Sequence, residues 1–363
     1  MEKQRKTIAL TGGWTWGHAV PLLSLYNYLK ESQKEWELEY EYNFLWVGGI
    51  DSIEEEIALK NKIPFYDISA GKIRRYFDFR NFYEPLKNLT GLFEGLYYIW
   101  KYKIDIVFSK WGYVSLPLCI AAWIMRKTIY IHESDTVTGL ANKIISKFAT
   151  KVFYTFPNDK TCIWEELPEG KTHKYIHSWP IVNPELIDYL DSLKVTENAK
   201  LTVMVIAGSQ GSTTIFNALL KALPDLQDME FHIILGEKNM RFRPDFKKFP
   251  NTIVHDFVTQ KRLGKILKNI DIAITRGSSA IWELYFFGIH SIIVPLKATG
   301  GNHQHHNAIY FNEKFGSDIL DEDENLNLEL FRLLQKYKHL RKSGLNIDGF
   351  FDGLKKIEKE MEL

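Results

Sequence analysis

Short apolar runs and longer amphipathic stretches alternate along the whole chain, with turn residues between them. An apolar run bounded by turn residues is typical of a buried strand, and a longer stretch with helical periodicity is typical of a helix. Their alternation predicts an α/β fold in which parallel sheets carry right-handed crossover helices on both faces. The predicted strands are residues 7–10, 44–47, 64–68, 105–108, 128–131, 151–154, 201–206, 231–235, 252–254, 272–274 and 291–294.

The alternation is interrupted once, where Pro180 and Pro184 break the pattern before a new strand begins. A chain of 363 residues is long for a single core and comfortable for two domains of ordinary size. We therefore place a domain boundary at this interruption. The predicted units are residues 1–180, residues 181–345, and a final helix within residues 346–363 that packs back toward the N-terminal domain.

Composition indicates the cellular compartment and limits the classes of binding partner. Hydrophobic residues make up 45% and charged residues 25% of the chain, as in ordinary soluble proteins, and a net charge of +1 gives no indication of a nucleic-acid partner. Two cysteines form no disulfide framework, and no signal-peptide pattern follows the first residue, so a reducing cytoplasm is expected. The longest apolar run, residues 116–125, is about half of the ~20 residues that a membrane span needs.

Candidate chemistry is concentrated between residues 271 and 308. A predicted strand there is followed by the turn Gly277-Ser278-Ser279, a helix that stops before Gly288, and another strand. In a parallel sheet this order brings the turn and the helix N-terminus to the carboxyl edge, where ligands bind. Glu283 lies on the first turn of that helix, and a carboxylate at this position can accept two hydrogen bonds from a ribose diol. The alternative is an ordinary solvated helix glutamate.

The first strand runs into the turn Thr11-Gly-Gly-Trp-Thr-Trp-Gly-His18. The turn lacks the Lys and Ser/Thr of a phosphate-binding NTPase loop, and it does not match the dinucleotide pattern. What remains is a strand-to-helix turn with open backbone amides and a histidine at the helix start. A helix N-terminus attracts anions and lowers the pKa of a nearby imidazole, so we expect a neutral His18 that can accept a proton. The alternative is a histidine that only caps the helix.

A second glycine turn, Gly208-Ser209-Gln210-Gly211, follows the strand at residues 201–206. Small residues allow backbone amides to approach a diphosphate, and the Ser209 hydroxyl adds a donor. Two facing domains, each with a glycine turn at its sheet edge, predict two ligands in one cleft.

Taken together, these motifs resemble those of the MurG-type glycosyltransferases, and the resemblance spans residues 11–308. It rests on the following segments: Thr11-Gly-Gly with Gly17-His18, Gly112-Tyr-Val-Ser115 with Pro117, His132-Glu133, Gly139-Leu with Asn142-Lys143, Gly208-Ser-Gln-Gly211, Gly277 with Glu283, and Gln304 with Asn307-Ala308. The resemblance implies the GT-B fold, in which two Rossmann-like domains face each other across a cleft. It also implies inverting, metal-independent transfer of N-acetylglucosamine from UDP-N-acetylglucosamine to an undecaprenyl-diphosphate-linked muramyl peptide in peptidoglycan synthesis.

The same resemblance implies a role for each matching residue. His18 is the expected catalytic base, with Glu133 as the next candidate. The N-terminal domain is expected to bind the acceptor through Gly12, Gly13, Gly17, Tyr113, His132 and Asn142. The C-terminal domain is expected to bind the donor through Gly208, Ser209, Gln210, Gly211, Ser278, Ser279, Glu283, Gln304 and Asn307.

No cofactor and no metal ion are expected. Helix N-termini and glycine amides can stabilise a leaving diphosphate without a metal. The acidic segment Asp321-Glu322-Asp323 is interpreted as solvated surface. The three histidines of the donor loop, His303, His305 and His306, have no cysteine or carboxylate partner in that loop.

Residues 72–103 contain ten aromatic and seven basic residues against three acidic ones. Aromatic rings beside Lys and Arg suit the headgroup region of an anionic membrane, and the resemblance implies a cytoplasmic enzyme docked peripherally on the inner face of the cell membrane. The expected contact residues are Arg74, Arg75, Tyr76, Phe77, Phe79, Arg80 and Phe82. The alternative is a packed helix pair with solvated lysines.

Several departures from the family pattern concern the acceptor side. Trp14 and Trp16 replace glycines, Asp135 replaces an asparagine, residues 178–182 lack an arginine that would meet a phosphate, and Arg276 is offset by one position. Three alternatives therefore stay open: a related transferase with a different lipid or glycan acceptor, a UDP-N-acetylglucosamine epimerase on the same fold, and a UDP-sugar-binding pseudoenzyme.

Overall fold

The structure is a computed structural model that describes most of the chain. The described ranges are residues 4–13, 16–35, 40–71, 80–110, 112–157, 173–187, 200–208, 211–297, 300–346 and 349–361. Several residues singled out in the sequence lie outside these ranges, namely Trp14, Arg74, Arg75, Tyr76, Phe77, Phe79, Ser209 and Gln210. Arg80 and Phe82 belong to a described helix, but their side chains are not described.

The N-terminal domain is built on one parallel sheet. Its elements are β1 (Gln4–Thr11), α1 (Trp16–Glu35), β2 (Tyr40–Gly48), α2 (Ile53–Lys60), β3 (Phe65–Asp67), α3 (Arg80–Lys101), β4 (Ile104–Ser109), α4 (Ser115–Ile124), β5 (Thr128–Glu133), α5 (Leu140–Ile145), β6 (Lys151–Tyr154) and β7 (Tyr175–His177). The strand order is β3-β2-β1-β4-β5-β6-β7. The order in which strands are added reverses between β1 and β4, and such a switch point opens a crevice at the carboxyl ends of the strands.

The C-terminal domain repeats this plan. Its elements are β8 (Thr202–Ile206), α6 (Thr213–Ala222), β9 (Glu230–Ile234), α7 (Arg243–Phe246), β10 (Thr252–His255), α8 (Gln260–Leu267), β11 (Ile272–Thr275), α9 (Ala280–Phe286), β12 (His290–Ile293), α10 (His303–Phe315), β13 (Asp318–Ile319) and α11 (Leu326–Lys336), and the helix α12 (Asp352–Glu360) follows it in the chain. The parallel strands follow the order β10-β9-β8-β11-β12-β13, with the switch point between β8 and β11. The predicted α/β fold with two facing Rossmann-like domains is confirmed.

An aromatic cluster joins the two domains. Trp179, which follows the last strand of the first sheet, packs edge-on against Trp282 with ring centroids 5.7 Å apart. Phe156 makes a second edge-on contact with Tyr310 at 4.9 Å, and its ring lies 5.3 Å from that of Trp282. Aromatic contacts of this kind bury large apolar areas and prefer a defined geometry, so this cluster holds the two domains against each other.

The last helix, α12, packs on the N-terminal domain. Leu354 and Ile357 are buried in the same core cluster as Ile8 of β1, and the Tyr28 hydroxyl donates to the Glu358 carboxylate at 3.0 Å. Residues 188–199, between the two sheets, lie outside the described ranges, so the boundary at residue 180 stays a prediction. No helix in the described part of the chain has both the length and the hydropathy to cross a bilayer.

Candidate functional site

A cavity of about 630 Å³ lies between the domains, at the carboxyl ends of both sheets. The N-terminal wall includes Trp16, Gly17, His18, Lys110, Ser134 and Asp135. The C-terminal wall includes Gly208, Gly211, Arg276, Ser278, Ser279, Glu283 and Gln304. The two switch points therefore open into one shared space, where a ligand on one domain can react with a ligand on the other.

The glycine turn after β1 cannot accept larger residues. Gly12 has a φ of +120°, which other residues rarely adopt. A Cβ on Gly13 would lie 2.2 Å from the carboxylate of Glu54, a residue that is fully buried beneath the turn. The turn therefore packs closely against the start of α2, and of its glycines Gly17 lines the cavity.

His18 enters the cavity from the first turn of α1. Its Nδ1 lies 3.0 Å from the Gly13 carbonyl oxygen, and a carbonyl can only accept, so Nδ1 carries the hydrogen. The neutral ring then has its lone pair on Nε2. Burial, followed by the positive charge of Lys110, lowers the pKa of His18 to about 4, even though Gly13 and Asp135 act in the opposite direction. At neutral pH the histidine is unprotonated, as a general base must be.

Three residues predicted for the acceptor side are fully buried behind this wall: His132, Glu133 and Asn142. The Glu133 carboxylate accepts hydrogen bonds from the backbone N–H of Asp135 at 3.1 Å, from that of Gly139 at 3.4 Å and from the Asn142 amide at 3.0 Å. Burial, with a contribution from Asp135, raises the pKa of Glu133 to about 7. This carboxylate holds the loop that presents Ser134 and Asp135 to the cavity, and its role as a base stays a prediction.

Tyr113 is partly buried and packs against the core beneath the first sheet. Its predicted contact with an acceptor, like those of His132 and Asn142, stays a prediction.

The facing wall carries the second glycine turn. Gly208 and Gly211 both have positive φ values, +72° and +68°. A Cβ on Gly211 would lie 2.1 Å from the Leu235 carbonyl oxygen, so no larger residue fits there. Ser212 caps the following helix by accepting from the Ile215 N–H at 3.3 Å. Gly211 lines the cavity two residues before α6 begins, so the helix N-terminus lies at the edge of this wall, where amides can receive an anion.

Arg276 lies beside this turn and was not recognised as a site residue from the sequence. Its Nη2 donates to the Ser212 hydroxyl at 2.6 Å and to the Glu322 carboxylate at 2.7 Å, while Nη1 donates to the Val294 carbonyl at 3.0 Å. The interpretation of the acidic segment at residues 321–323 as solvated surface is therefore wrong for Glu322, because its carboxylate pairs with a buried guanidinium. Asp321 and Asp323 are exposed, as expected.

Glu283 faces the cavity from the first turn of α9. Its carboxylate makes no hydrogen bond or ion pair with the rest of the described chain, and burial raises its pKa to about 7. A partly desolvated carboxylate without a donor is poised to accept hydrogen bonds from a ligand. Ser278 and Ser279 line the cavity just before it, and the Gln304 side-chain oxygen is held by the Leu296 N–H at 3.0 Å.

Asn307 has a different environment from the one the sequence predicts. It is fully buried, and its amide donates to the Asp135 carboxylate and to the Gly277 carbonyl, each at 2.9 Å. Its oxygen accepts from the backbone N–H and the hydroxyl of Thr136, again at 2.9 Å each. These four bonds use the whole capacity of the side chain and tie the two domains together. A direct contact of Asn307 with a sugar stays a prediction.

Trp16 crosses the cleft from the N-terminal domain. Its ring lies 5.3 Å from that of Phe257 in the C-terminal domain, and both line the cavity. This ring pair spans the space between the two walls.

Two parallel-sheet domains with glycine turns facing across one cleft define the GT-B class of glycosyltransferases. The chain belongs to glycosyltransferase family 28: the model of the family's N-terminal domain matches residues 8–154, and that of its C-terminal domain matches residues 202–347. The resemblance read from the sequence is confirmed.

Curated relatives carry a more specific name. A protein of Geobacillus thermodenitrificans is 35% identical over 339 residues, which is 90% of this chain and 89% of the relative. A protein of Clostridium novyi is 34% identical over 372 residues, covering 97% and 99% of the two chains. Both are named UDP-N-acetylglucosamine--N-acetylmuramyl-(pentapeptide) pyrophosphoryl-undecaprenol N-acetylglucosamine transferase.

Solved structures agree on the fold. MurG of Acinetobacter baumannii superposes with a TM-score of 0.70 at 19% identity, covering 98% of this chain and 99% of that one. UDP-GlcNAc 2-epimerase of Neisseria meningitidis, bound to UDP-GlcNAc, superposes with a TM-score of 0.69 at 12% identity, covering 99% and 100%. At such identities the similarity concerns the fold alone.

Proposed function

We propose that this protein transfers N-acetylglucosamine from UDP-N-acetylglucosamine to an undecaprenyl-diphosphate-linked muramyl peptide, as the names of its curated relatives state for those proteins. The observation that carries the proposal is the shared cavity, in which His18 of one domain and Glu283 of the other face the same space. One cleft therefore offers a base for the acceptor hydroxyl and a carboxylate that can accept hydrogen bonds from the donor ribose.

The donor, UDP-N-acetylglucosamine, binds the wall of the cleft that the C-terminal domain forms. Glu283 accepts hydrogen bonds from the ribose hydroxyls, and the amides at the start of α6 receive the diphosphate. Arg276, beside the same turn, adds positive charge close to the leaving group. Amide dipoles and a fixed cation stabilise the charge that develops as UDP leaves, so no metal ion is required.

The acceptor binds the N-terminal wall, and its hydroxyl loses a proton to Nε2 of His18. The base and the leaving diphosphate are on opposite walls of the cleft. The acceptor oxygen therefore attacks the anomeric carbon from the side opposite the leaving group, and the configuration at that carbon inverts. Water exclusion by the Trp16–Phe257 pair protects the donor from hydrolysis.

Docking on a membrane surface is supported by a row of exposed apolar side chains on α3. Its members follow helical spacing along one face: Leu86, Leu89, Phe93, Tyr97 and Trp100. Gly91 and Gly95 of α3 pack against Pro117 and Ala121 of α4, so the two helices run side by side in the same direction. Trp123 and Ile124 at the end of α4 are also exposed, and the Trp123 ring lies 5.5 Å from that of Phe148.

Such a row is costly in water and suits the boundary between headgroups and acyl chains. Lys87 and Lys101 on the same helix, together with the preceding basic segment, provide attraction to anionic lipid. We propose that this surface holds the enzyme on the inner face of the cell membrane, where a lipid-linked acceptor is found.

Replacing Phe93 and Trp100 with serine is expected to weaken binding to anionic vesicles by roughly tenfold or more. The two side chains are 64% and 71% exposed, and burying an aromatic side chain in lipid contributes about 1.5–3 kcal/mol. Vesicle co-sedimentation provides the measurement, and turnover of a short-chain soluble acceptor should be unchanged. Leu328→Ser, at a 51% exposed apolar residue on α11, is the matched control. Equal vesicle binding by all variants would argue against this surface.

Glu283→Ala is expected to lower the affinity for UDP-N-acetylglucosamine by about one to two decades, because it removes charged hydrogen bonds worth roughly 1.5–3 kcal/mol. With the pKa near 7, the carboxylate is ionised at pH 8 and largely protonated at pH 6. The parent should therefore bind more weakly at pH 6, and the variant should lose this dependence. Titration calorimetry measures both effects, with exposed Glu324→Ala as the control. Unchanged binding by Glu283→Ala would remove this residue from the donor site.

The fate of a labelled donor tests the proposed activity. Radiolabelled UDP-N-acetylglucosamine is incubated with the protein, with and without membrane lipid extract, and the label is followed into the organic phase. We expect transfer only when lipid is present. Conversion of the nucleotide sugar without lipid would instead favour the epimerase alternative, and UDP-sugar binding without turnover under either condition would favour the pseudoenzyme.

A further inference from the structure

The family motifs do not account for Lys110, which follows β4 directly. Its backbone N–H donates to the Thr11 carbonyl at 2.9 Å, so the residue is joined to the start of the first glycine turn. Its side chain is only 1% exposed, and it lines the cavity together with His18 and Asp135. A lysine buried to this extent is rare unless its charge has a partner.

Within the part of the chain that the structure describes, the Lys110 ammonium has no hydrogen-bond partner. The two carboxylates whose charges act on Lys110, those of Glu133 and Asp135, already accept hydrogen bonds from other groups. Glu133 accepts hydrogen bonds from Asp135, Gly139 and Asn142, and the Asp135 carboxylate accepts from Asn307. An ammonium that is removed from water without a hydrogen-bonded anion destabilises the fold by itself, so a functional reason for it is expected.

Burial lowers the pKa of Lys110 to about 8, although Glu133 and Asp135 both act to raise it. At neutral pH most of the lysine remains charged. The N-terminal half of the cleft therefore contains an ammonium that no described group hydrogen-bonds, on the same wall as Gly17 and His18 at the start of α1. This combination receives a phosphate well, because a lysine acts as a compact point charge and amides supply directed donors.

We propose that Lys110 binds a diphosphate in the N-terminal half of the cleft, and that in the enzyme this diphosphate is the acceptor's. The assignment of the acceptor rests on the proposed function. Lys110 shares its wall with Gly17 and His18, whereas the donor diphosphate has a separate turn and helix N-terminus on the opposite wall. Val182 occupies the junction position at which the sequence lacks a phosphate-binding arginine, and it lines the same cavity. Lys110 supplies the missing positive charge from another strand.

Lys110→Met removes the charge and keeps the unbranched side chain. With a diphosphate-linked acceptor, we expect the acceptor KM to rise about 10–100-fold, the loss that one charged hydrogen bond typically causes. The Kd for UDP-N-acetylglucosamine should be unchanged. With an acceptor analogue that has a neutral linker in place of the diphosphate, variant and parent should have equal KM values. A purely structural role would affect both acceptors alike and would overturn the proposal.

A binding experiment tests this proposal independently of the proposed function. Inorganic pyrophosphate is titrated into the protein saturated with UDP, so that the donor site is filled. The parent should bind pyrophosphate, and Lys110→Met should bind it at least tenfold more weakly, whether or not any muramyl acceptor is turned over. Exposed Lys60→Met is the matched control. Equal binding by parent and Lys110→Met, or displacement of UDP by pyrophosphate, would overturn the assignment to the N-terminal wall.

The variant is expected to fold, since no described group loses a hydrogen-bond partner when the ammonium is removed. Thermal unfolding measures the stability of the variant directly. If Lys110→Met is unstable, Lys110→Gln replaces it in the kinetic and the pyrophosphate-binding experiments.

Discussion

Replacing His18 with alanine is expected to lower kcat by about 10²–10⁴, the range typical for loss of a general base. The Kd for UDP-N-acetylglucosamine should stay the same, because the donor binds the opposite domain. The physical reason is the tautomer: the Gly13 carbonyl keeps the hydrogen on Nδ1, so Nε2 is the only ring nitrogen that can take a proton from the acceptor. Single-turnover kinetics with saturating acceptor provide the measurement, and exposed His339→Ala is the control.

The pH dependence gives a second test of the same residue. The pKa of about 4 belongs to the enzyme without substrate, so the acid limb of kcat/KM that is due to His18 should lie near that value. A bound diphosphate places negative charge nearby and raises the pKa of the imidazole. The corresponding limb of kcat should therefore lie at higher pH, and both should disappear in His18→Ala. Limbs that persist in the variant would assign the base to another group, with Glu133 as the next candidate.

Replacing Arg276 with methionine is expected to lower the free energy of unfolding by about 3 kcal/mol, as is usual when one member of a buried ion pair is removed. The change leaves the Glu322 carboxylate, the Ser212 hydroxyl and the Val294 carbonyl without their donor. Denaturant unfolding at pH 7 provides the measurement. Removing the carboxylate as well, in Arg276→Met with Glu322→Met, should recover most of the loss. A cost below 1 kcal/mol for the single variant would contradict the described pairing.

The pH dependence of this pair has a defined sign. Burial alone raises the pKa of Glu322, but hydrogen bonds from Arg276 and other donors outweigh it and hold the pKa below its ordinary value. A carboxyl with a lowered folded-state pKa stabilises the fold above its unfolded pKa, near 4.3, and this contribution is lost as the pH falls through the folded value. The acid-induced loss due to Glu322 should therefore be smaller in Arg276→Met than in the parent.

The elements of this fold are readable from the sequence because their signals are local. Each predicted strand is an apolar run between turn residues, and the structure contains all of them, with ends shifted by a few residues. The strands that were missed are β7 and β13, of three and two residues, which are too short to show a pattern. The turns that carry His18 and Glu283 were found for the same reason, since strand, glycine and helix start follow one another directly.

The interactions that complete the site are not local. Arg276 pairs with Glu322 across 46 residues, and Asn307 reaches Asp135 in the other domain, 172 residues away. The local pattern of apolar and polar residues does not indicate such contacts. Glu322 was therefore interpreted as surface, and the position of Asn307 between the two domains was not predicted. Lys110 was overlooked because a single lysine after a strand is usually solvated. Its burial depends on tertiary contacts that the local sequence does not show.

In the proposed reaction, a base on one wall of the cleft and a leaving diphosphate on the other give an inverting transfer to a lipid-diphosphate acceptor. The most direct measurement is the nuclear magnetic resonance spectrum of the product formed from UDP-α-N-acetylglucosamine and a synthetic undecaprenyl-diphosphate muramyl peptide. We expect one new β-linked N-acetylglucosamine on the muramyl sugar, with UDP released in equal amount. An α-linked product, or N-acetylglucosamine that leaves UDP without joining the acceptor, would contradict it.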